Sequence, residues 1–281
     1  MTMTELRAYA IDLLNVSINS PSCKICSGHT VAFDLVDFNK TGHISKYPYG
    51  VSGIPVQYYK CKECQFIFTD FFDKFTSDQW TKYVYNKEYY IGVDPEYAEI
   101  RPAYNARWFS TLLAGKKESL IGLDYGGGSG KTTELMRNAG WSYDCWDPFG
   151  HTDMTPGRVG TYNFCTSMEV FEHTPDPVGS LRSLVEKCTP GKLMVMIGTG
   201  IHDGAVSDET RLNWWYAAPR NGHISLYSRK SLEVLAAKFG LTYVSFSMGT
   251  HLLVRGYTKR ETQSLLLRAK LRAKIRSVLK I

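Results

Sequence analysis

One stretch limits what this chain can fold into: Ile121-Gly-Leu-Asp-Tyr-Gly-Gly-Gly-Ser-Gly-Lys131. The apolar residues from Leu120 to Leu123 predict a buried strand, the glycine cluster a tight turn, and Lys131 to Asn138 a helix. Strand, side-chain-free turn and helix start together make a nucleotide-type site. Gly126, Gly128 and Gly130 let backbone approach a ligand at positive φ, while the N–H groups at the helix start favour polar or anionic groups.

Spacing separates the ligand classes that use such a turn. A P-loop ends in Gly-Lys-[Ser/Thr], as Gly130-Lys131-Thr132 does, but its first glycine would fall on Tyr125. The dinucleotide fingerprint places its third glycine where Lys131 stands. The pattern that fits in full is Asp-x-Gly-x-Gly-x-Gly led by Asp124. It resembles the first motif of the class I S-adenosylmethionine-dependent methyltransferases. That resemblance implies a doubly wound α/β fold with a mostly parallel, Rossmann-like sheet, and Asp124 and the three glycines holding the methionine and ribose part of the cofactor. A short strand ending at Asp147, about 20 residues on, offers a carboxylate for both ribose hydroxyls. Between Asp147 and Tyr162 there is little room for a further strand and helix, and Asp153 is the acid left for the adenine amine.

Seven cysteines stand at 23, 26, 61, 64, 145, 165 and 188. Cys23-Lys-Ile-Cys26 and Cys61-Lys-Glu-Cys64 bracket a strand-like segment and are spaced for a structural S₄ zinc site, with an insertion looping out between Asp37 and Gly53. A thioredoxin-like redox pair would need a strand before and a helix after, which neither has. The other three cysteines are expected in strands or at a helix end as small core residues.

Strand and helix signals alternate after the glycine turn, the rhythm of a parallel sheet: strands over 119–125, 142–146, 162–167, 192–197, 241–246 and 251–257, helices over 131–138, 178–187 and 229–238. The expected organisation is residues 1–69 as N-terminal helix and small zinc-binding domain, 70–117 as an aromatic connector or lid, 118–258 as the methyltransferase domain, and 259–281 as a basic tail helix. The connector interleaves its aromatics with acids, which argues against a single-strand nucleic-acid platform.

Candidate chemistry sits in two places. Glu169-Val-Phe-Glu172-His173 follows a sheet strand and resembles the Glu-Val-x-Glu-His signature of many small-molecule methyltransferases. A helical turn there would put Glu169, Glu172 and His173 on one face. The second is His223, in the aromatic insertion that begins at Trp214-Trp-Tyr216. Either histidine suits a general base for an acceptor hydroxyl. A second reading has Glu169, Glu172, His173 and His223 holding Mg²⁺, an arrangement that resembles O-methyltransferases acting on quinone precursors and on the 2′-hydroxyl of small RNA 3′ ends. Glu169 also counts among the cofactor-side residues.

Residues 259–281 carry eight Lys or Arg against Glu261 alone, a net +7 that leaves the rest of the chain at −1. The near-neutral body argues against a nucleic-acid partner. Leu267, Leu271, Ile275 and Val278 recur at helical spacing, so the tail is expected either to dock on its own domain or to lie on an anionic membrane surface. No run approaches the roughly 18 apolar residues of a membrane helix and the N-terminus lacks the marks of a signal peptide, so a cytoplasmic protein, peripheral to the inner membrane face if the tail binds lipid, is expected. Zinc-fronted proteins resembling this chain are associated with sugar and glycan modification, which makes a small-molecule acceptor of the sugar class the first expectation. An RNA methyltransferase and a non-catalytic cofactor-binding module are the rivals.

Overall fold

The computed structural model describes residues 2–16, 20–42, 45–148 and 157–267. In chain order the elements are α1 (Met3–Val16), β1 (Thr30–Asp37), β2 (Pro55–Cys61), β3 (Ile67–Phe68), α2 (Ser77–Tyr83), α3 (Ile100–Leu112), β4 (Ile121–Tyr125), α4 (Lys131–Asn138) and β5 (Ser142–Trp146). There follow β6 (Phe164–Met168), α5 (Pro177–Glu186), β7 (Leu193–Gly198), β8 (Ser225–Leu226), α6 (Arg229–Ala237), β9 (Thr242–Ser245) and β10 (Thr250–Arg255). Two compact units emerge: Met1–Pro95 with Glu169–Leu181 and Thr199–Lys238, and Glu96–Met168 with Arg182–Gly198 and Phe239–Ile281.

The first unit is built on a sheet ordered β1-β2-β3-β8, antiparallel throughout. β1 and β2 run in register from Thr30 opposite Cys61 to Asp37 opposite Pro55, with a bulge at Phe33. The loop joining them, residues 38–54, is the insertion expected from the cysteine spacing. Leu6 and Ala10 of α1 pack with Phe33, Tyr58, Phe71 and Phe72 in one core, the apolar stripe of the amphipathic α1 meeting the inward side of the strands. Thr76 starts α2 with a full capping box: its hydroxyl accepts the Gln79 N–H at 3.3 Å, and the Gln79 side chain accepts the Thr76 N–H at 2.8 Å. That helix places Trp80 between Phe72 and Tyr85, stacked at centroid distances of 5.1 and 5.7 Å.

The second unit holds the mostly parallel six-stranded sheet, ordered β5-β4-β6-β7-β10-β9. β5, β4, β6 and β7 are parallel neighbours; β10 is antiparallel to both β7 and β9. All six residues of β7 are buried, as expected of an apolar run in a sheet covered on both sides. Phe109 and Leu112 of α3, Met136 of α4, Phe164 and Met196 form its core. The strand order reverses at β4, where β5 lies on one side and β6 on the other; in open α/β sheets ligands bind beyond the carboxyl ends at this reversal.

Residues 259–267 are helical, and Leu265 joins the second unit's core at 5% exposure. Leu271, Ile275 and Val278 of the expected tail helix lie outside the described residues, as does Asp153. No described helix is long and apolar enough to cross a membrane.

Candidate functional site

In the second unit, β4 delivers Asp124 to the sheet's carboxyl edge, where it is buried. Its Oδ1 accepts the Thr166 hydroxyl at 2.7 Å, and Tyr143 meets the same hydroxyl at 2.6 Å. Burial pushes the Asp124 carboxyl up to about 6; the Thr166 hydrogen bond opposes this and Asp147 adds to it. Gly126, Gly128 and Gly130 take φ of 76°, 55° and 76°, the left-handed region where a side chain is strained. Gly130 precedes α4 with no side-chain cap, so the first N–H groups of that helix keep their polarity for a ligand. Asp147 Oδ2 accepts the Gly128 N–H at 2.8 Å, which ties the acid at the end of β5 to the turn at the end of β4.

Two further residues shape this turn. A side chain at Gly127 would come within 2.5 Å of Cys145 Sγ and 2.9 Å of Asp124 Oδ2, and one at Gly128 within 2.4 Å of the Tyr97 hydroxyl. Gly127 was legible as the middle of a glycine run. Tyr97 was one aromatic among the twelve of residues 70–117, with nothing in its spacing to mark it.

The first unit gathers the expected acid–imidazole group. Glu169, the first residue after β6, has φ of 55°, so the single helical turn spans Phe171–His173 and Glu169 does not share its face as expected. A left-handed backbone at a non-glycine is strained, and such strain concentrates at functional positions. Glu172 is fully buried: Oε1 accepts the Tyr216 hydroxyl and Oε2 has no hydrogen-bond partner. Burial and then the neighbouring Glu169 push its carboxyl well above the ordinary carboxylate value, and burial raises the Tyr216 phenol too.

His173 and His223 face each other with ring centroids 5.1 Å apart. His173 Nδ1 lies 3.1 Å from the Gly222 carbonyl and 3.2 Å from the Tyr85 hydroxyl; His223 Nδ1 lies 2.8 Å from the Tyr216 carbonyl. A carbonyl can only accept, so the neutral His223 ring carries its proton on Nδ1 and its lone pair on Nε2, whereas at His173 Nδ1 the Tyr85 hydroxyl can also donate. Gly222, at φ 82°, permits this approach, since a side chain there would come within 3.0 Å of His173 Nδ1. Glu172, His173 and His223 each offer a ligand atom within 4.8 Å of the others; Glu169 is outside that group.

The four knuckle cysteines converge as their spacing predicts, all Sγ atoms within 4.8 Å. Cys23 and Cys64 are 3.6 Å apart and Cys26 and Cys61 3.4 Å, near the roughly 3.8 Å edge of a tetrahedron with 2.3 Å zinc–sulfur bonds. In each knuckle a backbone N–H points at the first cysteine's Sγ at 3.4 Å, from Ile25 to Cys23 two residues on and from Cys64 to Cys61 three residues on, and Ser27 and Gln65 follow at φ of 61° and 65°. Burial pushes the Cys61 thiol up to about 12, so a full thiolate set needs a cation beside it.

The family described as "Methyltransferase domain" matches residues 97–246, more than half of the chain and every strand of the six-stranded sheet except β10. The chain belongs to this methyltransferase family. Its methyl donor is S-adenosylmethionine, and the glycine turn, open at backbone level and ringed by Asp124 and Asp147, fits that cofactor. No curated protein matches the methyltransferase chain. Among solved structures it is similar to the plantazolicin methyltransferase BpumL in complex with SAH, at 13% identity, TM-score 0.41, covering 65% of this chain and 83% of that one. It is also similar to the mitomycin 7-O-methyltransferase MmcR, at 14% identity and TM-score 0.39, over 57% of each chain. A third is a possible histamine N-methyltransferase from Thermotoga maritima, at 13% identity and TM-score 0.35, over 58% of this methyltransferase and 95% of that chain.

Proposed function

We propose that this methyltransferase transfers the donor's methyl group to a hydroxyl of a small acceptor of the sugar or glycan-precursor class, with His223 as general base. The observation that carries this reading is the 2.8 Å contact from His223 Nδ1 to the Tyr216 carbonyl, which fixes the tautomer with its basic lone pair on Nε2. Bound S-adenosylmethionine supplies an electrophilic methyl on a sulfonium. Asp124 and the turn at Gly126, Gly128 and Gly130 would hold its methionine and ribose part, and Asp147 would take the ribose hydroxyls. His173 orients the acceptor beside His223. His223 Nε2 would take the acceptor hydroxyl's proton as that oxygen bonds to the methyl carbon and the carbon–sulfur bond breaks, leaving S-adenosylhomocysteine. Trp215, 56% exposed beside Tyr216, offers an aromatic face for the C–H side of a sugar ring. The sugar class itself rests on the zinc-fronted architecture, and zinc at Cys23, Cys26, Cys61 and Cys64 serves the fold of the first unit.

A second reading, a metal-assisted transfer of the kind expected for an RNA 2′-hydroxyl, is favoured by one observation: Glu172 Oε2 is buried without a partner in the group it forms with His173 and His223. Two imidazoles and one carboxylate suit Zn²⁺ or Mn²⁺ better than Mg²⁺, which prefers oxygen. Labelled S-adenosylmethionine incubated with sugar nucleotides, quinol precursors and short RNAs, with and without chelator, separates the two. Chelator-resistant label on a sugar nucleotide is the expected result; label on RNA alone, abolished by chelator, overturns it.

A further inference from the structure

Lys40 is a lysine only 3% exposed, in the insertion between β1 and β2. Its ammonium donates to the carbonyls of Leu212 at 2.7 Å, Trp214 at 2.8 Å and Ala217 at 2.7 Å. Three N–H groups meet three carbonyls, so the buried charge is matched bond for bond. These carbonyls come from the segment on both sides of Tyr216, whose own carbonyl takes the His223 Nδ1 proton.

The surrounding contacts run the same way. The Lys40 carbonyl accepts the Arg220 N–H at 3.1 Å, Gly42 N–H donates to the Asn221 side chain at 3.0 Å, and Asp34 of β1 accepts the Leu212 N–H at 2.8 Å. Tyr58 of β2 donates to the His223 carbonyl at 2.8 Å. Residues 212–223 are thus held at several points by the cysteine-bearing sheet and its insertion, and the Lys40 ammonium alone makes three of those bonds.

We propose that Lys40 is a positioning residue for His223: by fixing the carbonyls on either side of Tyr216, it holds the Tyr216 carbonyl where it selects the Nδ1-protonated tautomer. This rests on the reading of His223 as the base, yet the tautomer can be read without an acceptor, so the two fail separately. The charged groups facing the ammonium are Lys46 and Asp34. Burial, helped by Lys46 and opposed by Asp34, brings Lys40 down to about 8. A neutral amine has two N–H groups for three carbonyls and releases one of them.

The test is long-range ¹⁵N NMR of histidine-labelled full-length protein, with His223 assigned from a His223→Gln spectrum. In the wild type the neutral His223 ring is expected to show one tautomer, protonated at Nδ1, while Lys40 is charged, and to drift toward the mixture of a solvated imidazole as pH rises through about 8 and Lys40 loses its proton. Lys40→Met is expected to show that mixture at every pH while keeping its zinc content and its affinity for S-adenosylhomocysteine. Unchanged His223 signals in a Lys40→Met protein that passes both controls overturn the proposal. Should that variant lose zinc or the cofactor product, the wild-type titration decides: a change following the lysine supports the clamp, and signals constant to about pH 10.5 overturn it.

Discussion

Tyr216 serves two neighbours at once: its phenol donates to the buried Glu172, and its carbonyl accepts the Nδ1 proton of His223 at 2.8 Å. The side chain satisfies an acid, the backbone sets a base. The two functions separate by mutation, because a substitution removes the phenol and leaves the carbonyl.

Tyr216→Phe is expected to take the phenol's hydrogen bond from the fully buried Glu172, at a cost of about 1–3 kcal/mol. Urea unfolding measures this. The His223 tautomer should stay as in wild type, since the carbonyl remains; a variant as stable as wild type would show that the phenol–acid bond contributes nothing.

Asp124 gives a pH-dependent signature. Its folded value of about 6 lies above the ordinary carboxylate value, so its contribution to stability is fully present below about pH 4 and lost as pH rises through 6. Asp124→Asn removes that penalty while keeping an oxygen for Thr166. The variant should gain roughly 2–3 kcal/mol over wild type at pH 8, shrinking toward zero near pH 4, in chemical denaturation at both pH values. S-adenosylhomocysteine binding should weaken in the same variant.

Gly126→Val should reduce S-adenosylhomocysteine affinity at least tenfold by calorimetry. At φ 76° a β-branched residue is strained, and the turn must either deform or carry a side chain into the ligand's approach. Unchanged affinity would mean the turn does not face the cofactor.

The zinc reading predicts about one zinc per chain by elemental analysis and its loss in Cys61→Ser together with a large drop in stability, because the binding energy of such a site is folding energy. Metal-free wild-type protein of equal stability would remove it.

The second unit was legible because each of its signals is local. The Asp124 turn, the run of β7 and the strand–helix alternation fall where sequence period and glycine spacing put them, within two or three residues. The four cysteines were legible for the same reason: a Cys-x-x-Cys turn carries its geometry in four residues. What escaped was long-range. Lys40 reads in sequence as a solvated charge, and only the return of residues 212–217, some 170 positions later, buries it. Glu169 was expected on a helical turn and stands instead at positive φ, because β6 ends at Met168 and the turn begins after it. The position of Tyr97 over Gly128 likewise depends on packing between segments that no periodicity links.

Turnover of His223→Gln tests the role of this imidazole most directly. It is measured at saturating S-adenosylmethionine and in the presence of chelator, on the acceptor that takes the most label from wild type. Replacing a positioned general base should lower turnover about 10²–10⁴-fold while S-adenosylhomocysteine affinity stays as in wild type. Turnover within threefold of wild type, on a protein that binds the product normally, would contradict the assignment of His223 as the base.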